Sequence, residues 1–413
     1  MDGPNLPKEP KKLRDKVAVW AEMEELRAKY GGLSLGQGAP GHPPPTFLRD
    51  HMLQAIKDGH NQYCRTFGHP ELITKVAEVY GKLLGRELDP YKEILITGGA
   101  NGALGSFIVG LCDPGDEVVL FEPAYPAYYD HIELSGATIK AAPLRADSDG
   151  EWQFDPEELR SILNEKTKLF ILNSPQNPTG KCFSRAEMET ISKILDDFPN
   201  IVVISDEVYD FLTFDGLEHV RFATIGDNWK RTVTMYSGGK LLNATGWKVG
   251  WVIGPNKILH LGAVINNCTT FVSNTPGQVA FAHSLDEAYA KGPNGEPSFV
   301  EQTGTDFKEV RDYLFKEVKE MNLPWEPLPC HSGYFLMVNI DKCKDLIPKK
   351  YFESHDYAPA DEFGRTINAN RYYMPDGSIP MDLAFARWMG QEHGVAMMPN
   401  SLFYHDGCEH TIQ

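Results

Sequence analysis

Apolar residues in the middle of the chain come in short continuous runs rather than in strict alternation. Six of these runs are rich in β-branched and aromatic residues: 94–97, 117–121, 168–173, 201–205, 232–236 and 249–253. In two of them, Leu169-Phe170-Ile171-Leu172 and Ile201-Val202-Val203-Ile204, apolar residues follow one another with no polar face. Such runs predict strands covered on both sides, as in a parallel sheet between layers of helices. Between them, 70–84, 101–111 and 184–197 carry helical spacing. Strands alternating with helices of this length predict an α/β fold whose mostly parallel sheet, of the seven-stranded type, lies between helices.

The pattern changes after about residue 300. An amphipathic stretch (307–321) precedes a β-like run (334–340), a loop (349–377) and a further helical stretch (381–393), which together read as an α+β unit. At the other end, 1–16 read as a polar arm. A helix is expected over 16–30, then a Gly- and Pro-rich passage (31–45) containing Gly36-Gln37-Gly38. A chain of 413 residues exceeds the roughly 250–300 residues at which one hydrophobic core stops growing. The expected division is therefore 1–45 as an arm and helix of a small domain, 46–300 as the large domain, and 301–413 as the C-terminal small domain.

Composition removes several partner classes. A formal net charge of −17 and a pI near 5.2 oppose binding to nucleic acid or an anionic membrane. The seven cysteines are scattered, with no C-x-x-C pair, so neither a disulfide framework nor a zinc site is expected, and a reducing compartment fits. The thirteen histidines form no ligand-like spacing, and no metal site is expected. No run reaches the roughly 18 apolar residues of a membrane span. The N-terminus lacks a signal peptide's apolar core, and Asp2, Glu9 and Asp15 weigh against a transit peptide. The cytoplasm is the expected compartment, with mitochondria left open.

The candidate chemistry lies at the expected strand ends, where parallel α/β sheets collect ligands. Thr97-Gly98-Gly99-Ala100-Asn101-Gly102 ends a strand and opens a helix, as a plain turn or as an anion site on free backbone N–H groups. Asn173-Ser-Pro-Gln-Asn177-Pro178-Thr179-Gly180 is either an ordinary tight turn or a pair of amides aimed at planar acceptors. Ser205-Asp206-Glu207-Val208-Tyr209 puts an acid at the end of a buried strand, where it calls for a cationic partner. Lys240 stands in a Gly/Ser loop after a strand, eight residues before Lys248, with Trp247 and Trp251 nearby. That spacing suits a carbonyl-binding lysine beside an anion-binding one. No H-E-x-x-H, G-x-S-x-G or paired-carboxylate arrangement competes.

With these motifs in this order the chain resembles the fold-type-I pyridoxal-phosphate aminotransferases. It looks most similar to the kynurenine aminotransferases that double as cysteine-S-conjugate β-lyases, the glutamine transaminase K group. The resemblance runs from about Trp20 to Tyr404 and rests also on Leu35-Gly36-Gln37-Gly38, Asn61-Gln62-Tyr63 and Thr66-Phe67-Gly68-His69-Pro70. It implies that the large domain binds pyridoxal 5′-phosphate, with Lys240 carrying the cofactor and moving the proton at the substrate's Cα. Asp206 would pair with the pyridine nitrogen, Asn177 and Tyr209 would bond the phenolic oxygen, and Tyr125 would stack on the ring. The turn of Gly99, Ala100 and Asn101 would hold the phosphate, with Ser237 and Lys248. Tyr63 would reach the phosphate from the neighbouring subunit of a homodimer. Gly38 and Asn173 would place the substrate carboxylate, and Trp20 and Phe271 would wall the side-chain pocket.

The resemblance further implies exchange between an amino acid (kynurenine, glutamine or another bulky neutral one) and a 2-oxo acid, with β-lyase activity on cysteine S-conjugates alongside. A methionine, alanine or aromatic aminotransferase is the alternative on the same scaffold, and a non-catalytic cofactor-binding relative is the alternative outside enzymes. Asn101 stands where relatives often have an aromatic residue, and Val272 where one has a histidine. Relatives continue past Pro399-Asn-Ser-Leu-Phe-Tyr404 into a strand with an arginine that grips the substrate's α-carboxylate. Gln413 precedes any such arginine, so the expectation is a truncated form or weakened carboxylate anchoring.

Overall fold

The computed structural model describes residues 19–36, 38–353, 373–374 and 376–405. Chain contacts divide them into two units. The larger holds Gly38–Asn322 and Pro327–Val338, and the smaller holds the described parts of Met1–Gln37, Leu323–Glu326 and Asn339–Gln413.

The larger unit is built on an eight-stranded sheet. Its strands lie in the order Ile94–Thr97, Gly250–Ile253, Thr232–Ser237, Val202–Asp206, Thr167–Asn173, Glu117–Glu122, Thr138–Ala146 and Trp152–Phe154. Gly250–Ile253 runs antiparallel to both its neighbours, and Trp152–Phe154 runs antiparallel to Thr138–Ala146. The other pairings are parallel, so six strands point one way. Seven strands make the body of the sheet, and the three-residue Trp152–Phe154 strand adds an eighth at the edge.

Consecutive residues of the central strands go to opposite cores, which is why their sequences are continuously apolar. Leu169 and Ile171 pack with Leu104, Phe107 and Ile132, from helices Gly99–Leu111 and Ala127–Ser135. Phe170 and Leu172 pack on the other side with Met188, Ile191 and Leu195 of helix Arg185–Asp196. That helix starts on a capping box in which Ser184 and Glu187 bond each other's backbone N–H. A third core, with Leu72, Val76, Tyr80, Trp251, Phe281 and Leu285, joins helices Pro70–Leu84 and Thr275–Tyr289 to the sheet.

Three details differ from the sequence reading. The Thr138–Ala146 strand is unanticipated because Lys140, Pro143 and Arg145 break its apolar pattern, as a position next to the sheet's edge, paired on its outer side only at Leu144–Ala146, allows. The long helix starts at Phe299, eight residues early, on a Ser298–Glu301 capping box. It falls with the larger unit rather than beyond a boundary at 300. There Arg311 pairs with Asp215 at 2.6 Å and bonds the Cys330 carbonyl at 2.9 Å. Of the β-like run 334–340, only Val338–Asn339 is strand.

In the smaller unit, helix Val19–Tyr30 packs on helix Met381–Glu392. A fully buried ion pair, Arg387 Nε to Glu22 at 2.6 Å, links them amid Met23, Leu26, Leu383 and Phe385. The polar arm, residues 16–18 of the expected first helix and most of the 349–377 loop lie outside the described residues.

Candidate active site

Five parallel strands of the larger unit end at one edge of the sheet, at Thr97, Glu122, Asn173, Asp206 and Ser237. Gly250, where the antiparallel strand begins, pairs with Thr97 and with Ser237. Register alone therefore gathers the turn after Thr97, the loop after Ser237 and the residues before Gly250.

The turn after Thr97 is a helix start without a side-chain cap. Gly98 is the N-cap with no side-chain bond, Gly99 has φ +75°, and the helix runs through Ala100 and Asn101. Its first N–H groups have no intrahelical acceptors and favour an anion. A Cβ on Gly250 would lie 2.9 Å from Gly99 C and 3.0 Å from Ala100 N, so glycine is what permits this approach. Lys248, with φ +55°, brings its Cα to 3.8 Å from where a Gly99 Cβ would stand. A lysine in the left-handed region is uncommon and gathers at functional sites.

Asn173 is paired with Asp206 across adjacent strands. Its Nδ2 donates to the carbonyls of Pro175 (3.0 Å) and Asp206 (2.9 Å), and its Oδ1 accepts from Asn177 N at 2.8 Å. Its amide is thus engaged in shaping the turn that presents Asn177. The Asn177 side-chain oxygen is itself buried without a hydrogen-bond partner.

Asp206 is buried and makes no ion pair among the described residues. Its Oδ2 accepts from the Tyr128 hydroxyl at 2.6 Å and its Oδ1 from Val208 N at 3.3 Å. Burial pushes its carboxyl up to about 6, with the Tyr128 and Val208 hydrogen bonds opposing. Tyr125, half-buried, meets Tyr128 edge-on at 5.6 Å.

Lys240 sits in the one-turn helix Gly238–Leu241, where Ser237 Oγ accepts from Lys240 N at 3.3 Å. Its Nζ donates to the Gly38 carbonyl. The ammonium lies 5.7 Å from the centre of the Tyr209 ring and 5.6 Å from that of Tyr334, whose hydroxyl donates to Lys240 O at 2.9 Å. Burial, then repulsion from Lys248, lowers the amine to about 8, with Asp206 pulling the other way. A Cβ on Gly38 would stand 3.3 Å from the Phe335 ring and 4.0 Å from Lys240 Nζ.

Tyr63, 79% exposed, packs edge-on against Phe271 at 5.1 Å, and Phe271 itself is exposed with φ +63°. Asn101 is exposed, its Oδ1 3.3 Å from His131 Nε2. Trp20 lies on helix Val19–Tyr30, and its side chain falls outside the described residues. Sequence reasoning missed Tyr128 and Tyr334. Tyr128 could have been found from its spacing, three residues after Tyr125 at a helix start, but nothing in the sequence singles out Tyr334.

The strand ends thus bring together an amine of lowered basicity, a buried carboxylate, an unpartnered amide oxygen and a helix start open to an anion. The model for "aminotransferase class I and II" matches residues 31–409. This chain belongs to the class I and II aminotransferases. It is 34% identical over 404 residues to a kynurenine–oxoglutarate transaminase of Dictyostelium discoideum, covering 94% of this chain and 87% of that protein. Kynurenine–oxoglutarate transaminase 1 of Rattus norvegicus is 35% identical over 399 residues, with the same coverage. Among solved structures, N-succinyldiaminopimelate aminotransferase from Mycobacterium tuberculosis superposes with TM-score 0.80 at 29% identity, covering 96% of this chain and 91% of that one. YbdL from Escherichia coli, described with a methionine aminotransferase function, gives 0.81 at 29% identity, covering 98% and 94%.

The family uses pyridoxal 5′-phosphate, so this aminotransferase is a pyridoxal-phosphate enzyme that transfers an amino group between an amino acid and a 2-oxo acid. The residues present fit that cofactor: a half-buried lysine of lowered basicity, a buried carboxylate without a cation bonded to it, an unpartnered amide oxygen and an uncapped helix start. Among the described residues no three His, Cys, Asp or Glu side chains are grouped to hold a metal ion, and no helix is long and apolar enough to cross a membrane.

Proposed function

We propose that Lys240 is the residue to which pyridoxal phosphate attaches and the base that carries the Cα proton during transamination. The observation that carries this reading is the lowered basicity of Lys240 in a cluster with Gly38, Tyr209 and Tyr334. An amine near 8 is neutral often enough at physiological pH both to attack a carbonyl and to accept a proton. When bound, the cofactor supplies an electron sink for the pair left at Cα. Asp206 holds a proton on the ring nitrogen. Asn177 and Tyr209 bond the phenolic oxygen, and Tyr125 covers one ring face. The N–H groups of Ala100 and Asn101 bind the phosphate beside Gly99, with Ser237 and Lys248. Gly38 leaves room for the substrate carboxylate next to Lys240, while Asn173 acts through the turn that it braces.

The proposed amino donors are kynurenine, glutamine and other bulky neutral amino acids, with β-elimination from cysteine S-conjugates as a side activity. The names of the relatives support the first, and an exposed Phe271 suits an aromatic-tolerant wall. Methionine is the second reading, supported by the likeness to YbdL. A homodimer is part of the proposal. Tyr63 and Phe271 form an exposed aromatic pair on one chain, and a partner's Tyr63 would complete the phosphate site. The scattered cysteines support a cytoplasmic location.

The test is a visible spectrum of the cofactor-loaded protein before and after each amino donor. Bleaching by kynurenine or glutamine at lower concentration than by methionine or alanine is expected. A clear preference for alanine or methionine would overturn the substrate assignment, and a spectrum unmoved by every donor would overturn the catalytic one.

A further inference from the structure

Three acids stand buried within five residues where strand Val202–Asp206 ends: Asp206, Glu207 and Asp210. A buried carboxylate calls for a cation or several hydrogen-bond donors. Asp206 makes no ion pair among the described residues, but the two acids that follow it do. Glu207 Oε2 lies 2.9 Å from His219 Nε2 and accepts from the Tyr236 hydroxyl at 3.1 Å, and its Oε1 accepts from Ser205 at 2.9 Å. Asp210 pairs with Arg221 at 2.8 Å, and Arg221 Nε stands 3.9 Å from Glu207. Burial works to lower the His219 imidazole, but the charge and hydrogen bond of Glu207 outweigh it and push it up to about 9. Both partners are therefore cations at neutral pH.

The two cations come from one short segment. His219 and Arg221 are two positions apart, and side chains at i and i+2 of an extended chain share a face. Arg221 has φ −81° and ψ 118°. Val220 and Phe222 alternate with them into the core of Ile191, Leu195 and Val203, which fixes the segment's backbone from the other side. The acids they meet are the two ends of one turn, closed by Asp210 N to the Glu207 carbonyl at 3.1 Å. Tyr209 lies inside that turn, its ring centre 5.7 Å from Lys240 Nζ, and Asp206 immediately precedes it. Glu207 N also bonds the Met235 carbonyl at 3.0 Å, so its end of the turn is tied to the sheet. Arg221 is the side-chain anchor of the other end.

We propose that Arg221 is a positioning residue for transamination: through Asp210 it fixes the end of the turn from which Tyr209 reaches the cofactor's phenolic oxygen, a role that rests on the assignment of Tyr209 given above. His219 pins the opposite end at Glu207. Two acids are thereby matched by two cations, and the charge of Asp206 is left for the ring nitrogen.

The test is a pH titration of the visible band of the cofactor-loaded Asp210→Asn variant, with borohydride trapping on Lys240 measured alongside. A hydrogen bond from Tyr209 favours the ionised phenolic oxygen. Misplacing Tyr209 should move the titration of the band upward by about one pKa unit, a tenfold change. Binding of pyridoxal phosphate to the cofactor-free variant should weaken as well. Arg221→Gln should shift the band in the same way, whereas Arg221→Lys, which keeps a cation for Asp210, should return it most of the way to wild type. If Asp210→Asn does not fold, the double variant Asp210→Asn/Arg221→Gln removes both charges together and carries the same expectation. A titration superimposable on wild type, with only the urea stability lowered, would overturn the proposal, because the pair would then serve the fold alone. Absence of an adduct on Lys240 in the wild type would instead overturn the cofactor assignment and this inference with it, and it shows before any variant is compared.

Discussion

The Tyr128 hydroxyl donates to Asp206 Oδ2 at 2.6 Å, between two side chains that are 2% and 4% exposed. Asp206 therefore has one oxygen fixed by a phenol, and its proton affinity is set partly by a residue 78 positions earlier. A hydrogen bond to a buried charged group contributes about 1.5–3 kcal/mol. The Tyr128→Phe variant should accordingly raise the Asp206 pKa by about one unit or more. The expected outcome is an acidic limb of the kcat/KM profile displaced upward by a similar amount, with Lys240 still carrying cofactor. A pH profile superimposable on wild type would mean that the phenol only fills space.

Asp206 also sets a pH dependence of stability in the cofactor-free protein. Its carboxyl stands at about 6 when folded, against an ordinary 3.8 for a free aspartate. Between those values the folded state binds more protons than the unfolded state, so stability falls as pH rises through that window. Above it, the buried charge costs about 2–3 kcal/mol. The Asp206→Asn variant should match wild type in urea unfolding below pH 4 and exceed it by about that amount at pH 7. It should still bind cofactor covalently while losing most turnover. Equal stabilities at pH 7 would count against a charged Asp206 in the cofactor-free protein.

Lys240 gives the complementary pH prediction. With its amine lowered from 10.5 to about 8, the neutral nucleophile becomes dominant near pH 8. The rate at which the cofactor-free protein takes up pyridoxal phosphate should rise with pH to about 8 and then flatten. Lys240→Ala should fold, lose turnover and yield no borohydride-reducible adduct by mass spectrometry. An adduct retained in that variant would place the cofactor on another lysine.

Legibility followed the range of the interactions. Strands 94–97, 117–121 and 232–236 were readable because a buried parallel strand must be apolar on both sides, a constraint local to each strand. Lys240 and Asp206 were readable because each ends such a run in a Gly- or Ser-rich setting. Tyr128 and Tyr334 were not, since they matter through partners 78 and 94 residues away that only sheet register and loop closure bring near. The expectation that Asn173 helps place the substrate carboxylate came from the resemblance; in the fold its amide bonds Pro175 and Asn177 within its own turn and Asp206 on the neighbouring strand. Strand Thr138–Ala146 was missed because, with an outer partner only at Leu144–Ala146, it tolerates charges and a proline that a fully central strand would not.

Gly250 links fold and phosphate binding in one residue. An added Cβ would come within 2.8 Å of Tyr236 O, 2.9 Å of Gly99 C and 3.0 Å of Ala100 N, all backbone atoms with little freedom to yield. The Gly250→Ala variant should push the 98–101 turn away from the strand, at about 1–3 kcal/mol of stability as for other overpacked sites. Because the displaced groups are the N–H donors of the helix start, the loss should fall on the phosphate rather than on the ring. Binding of pyridoxal phosphate to the cofactor-free variant should weaken by at least about tenfold, equivalent to 1.4 kcal/mol, while binding of unphosphorylated pyridoxal should change little. Equal weakening of both ligands would show that the substitution disturbs the whole cluster around Lys240, and unchanged binding of both would remove this turn from the phosphate site.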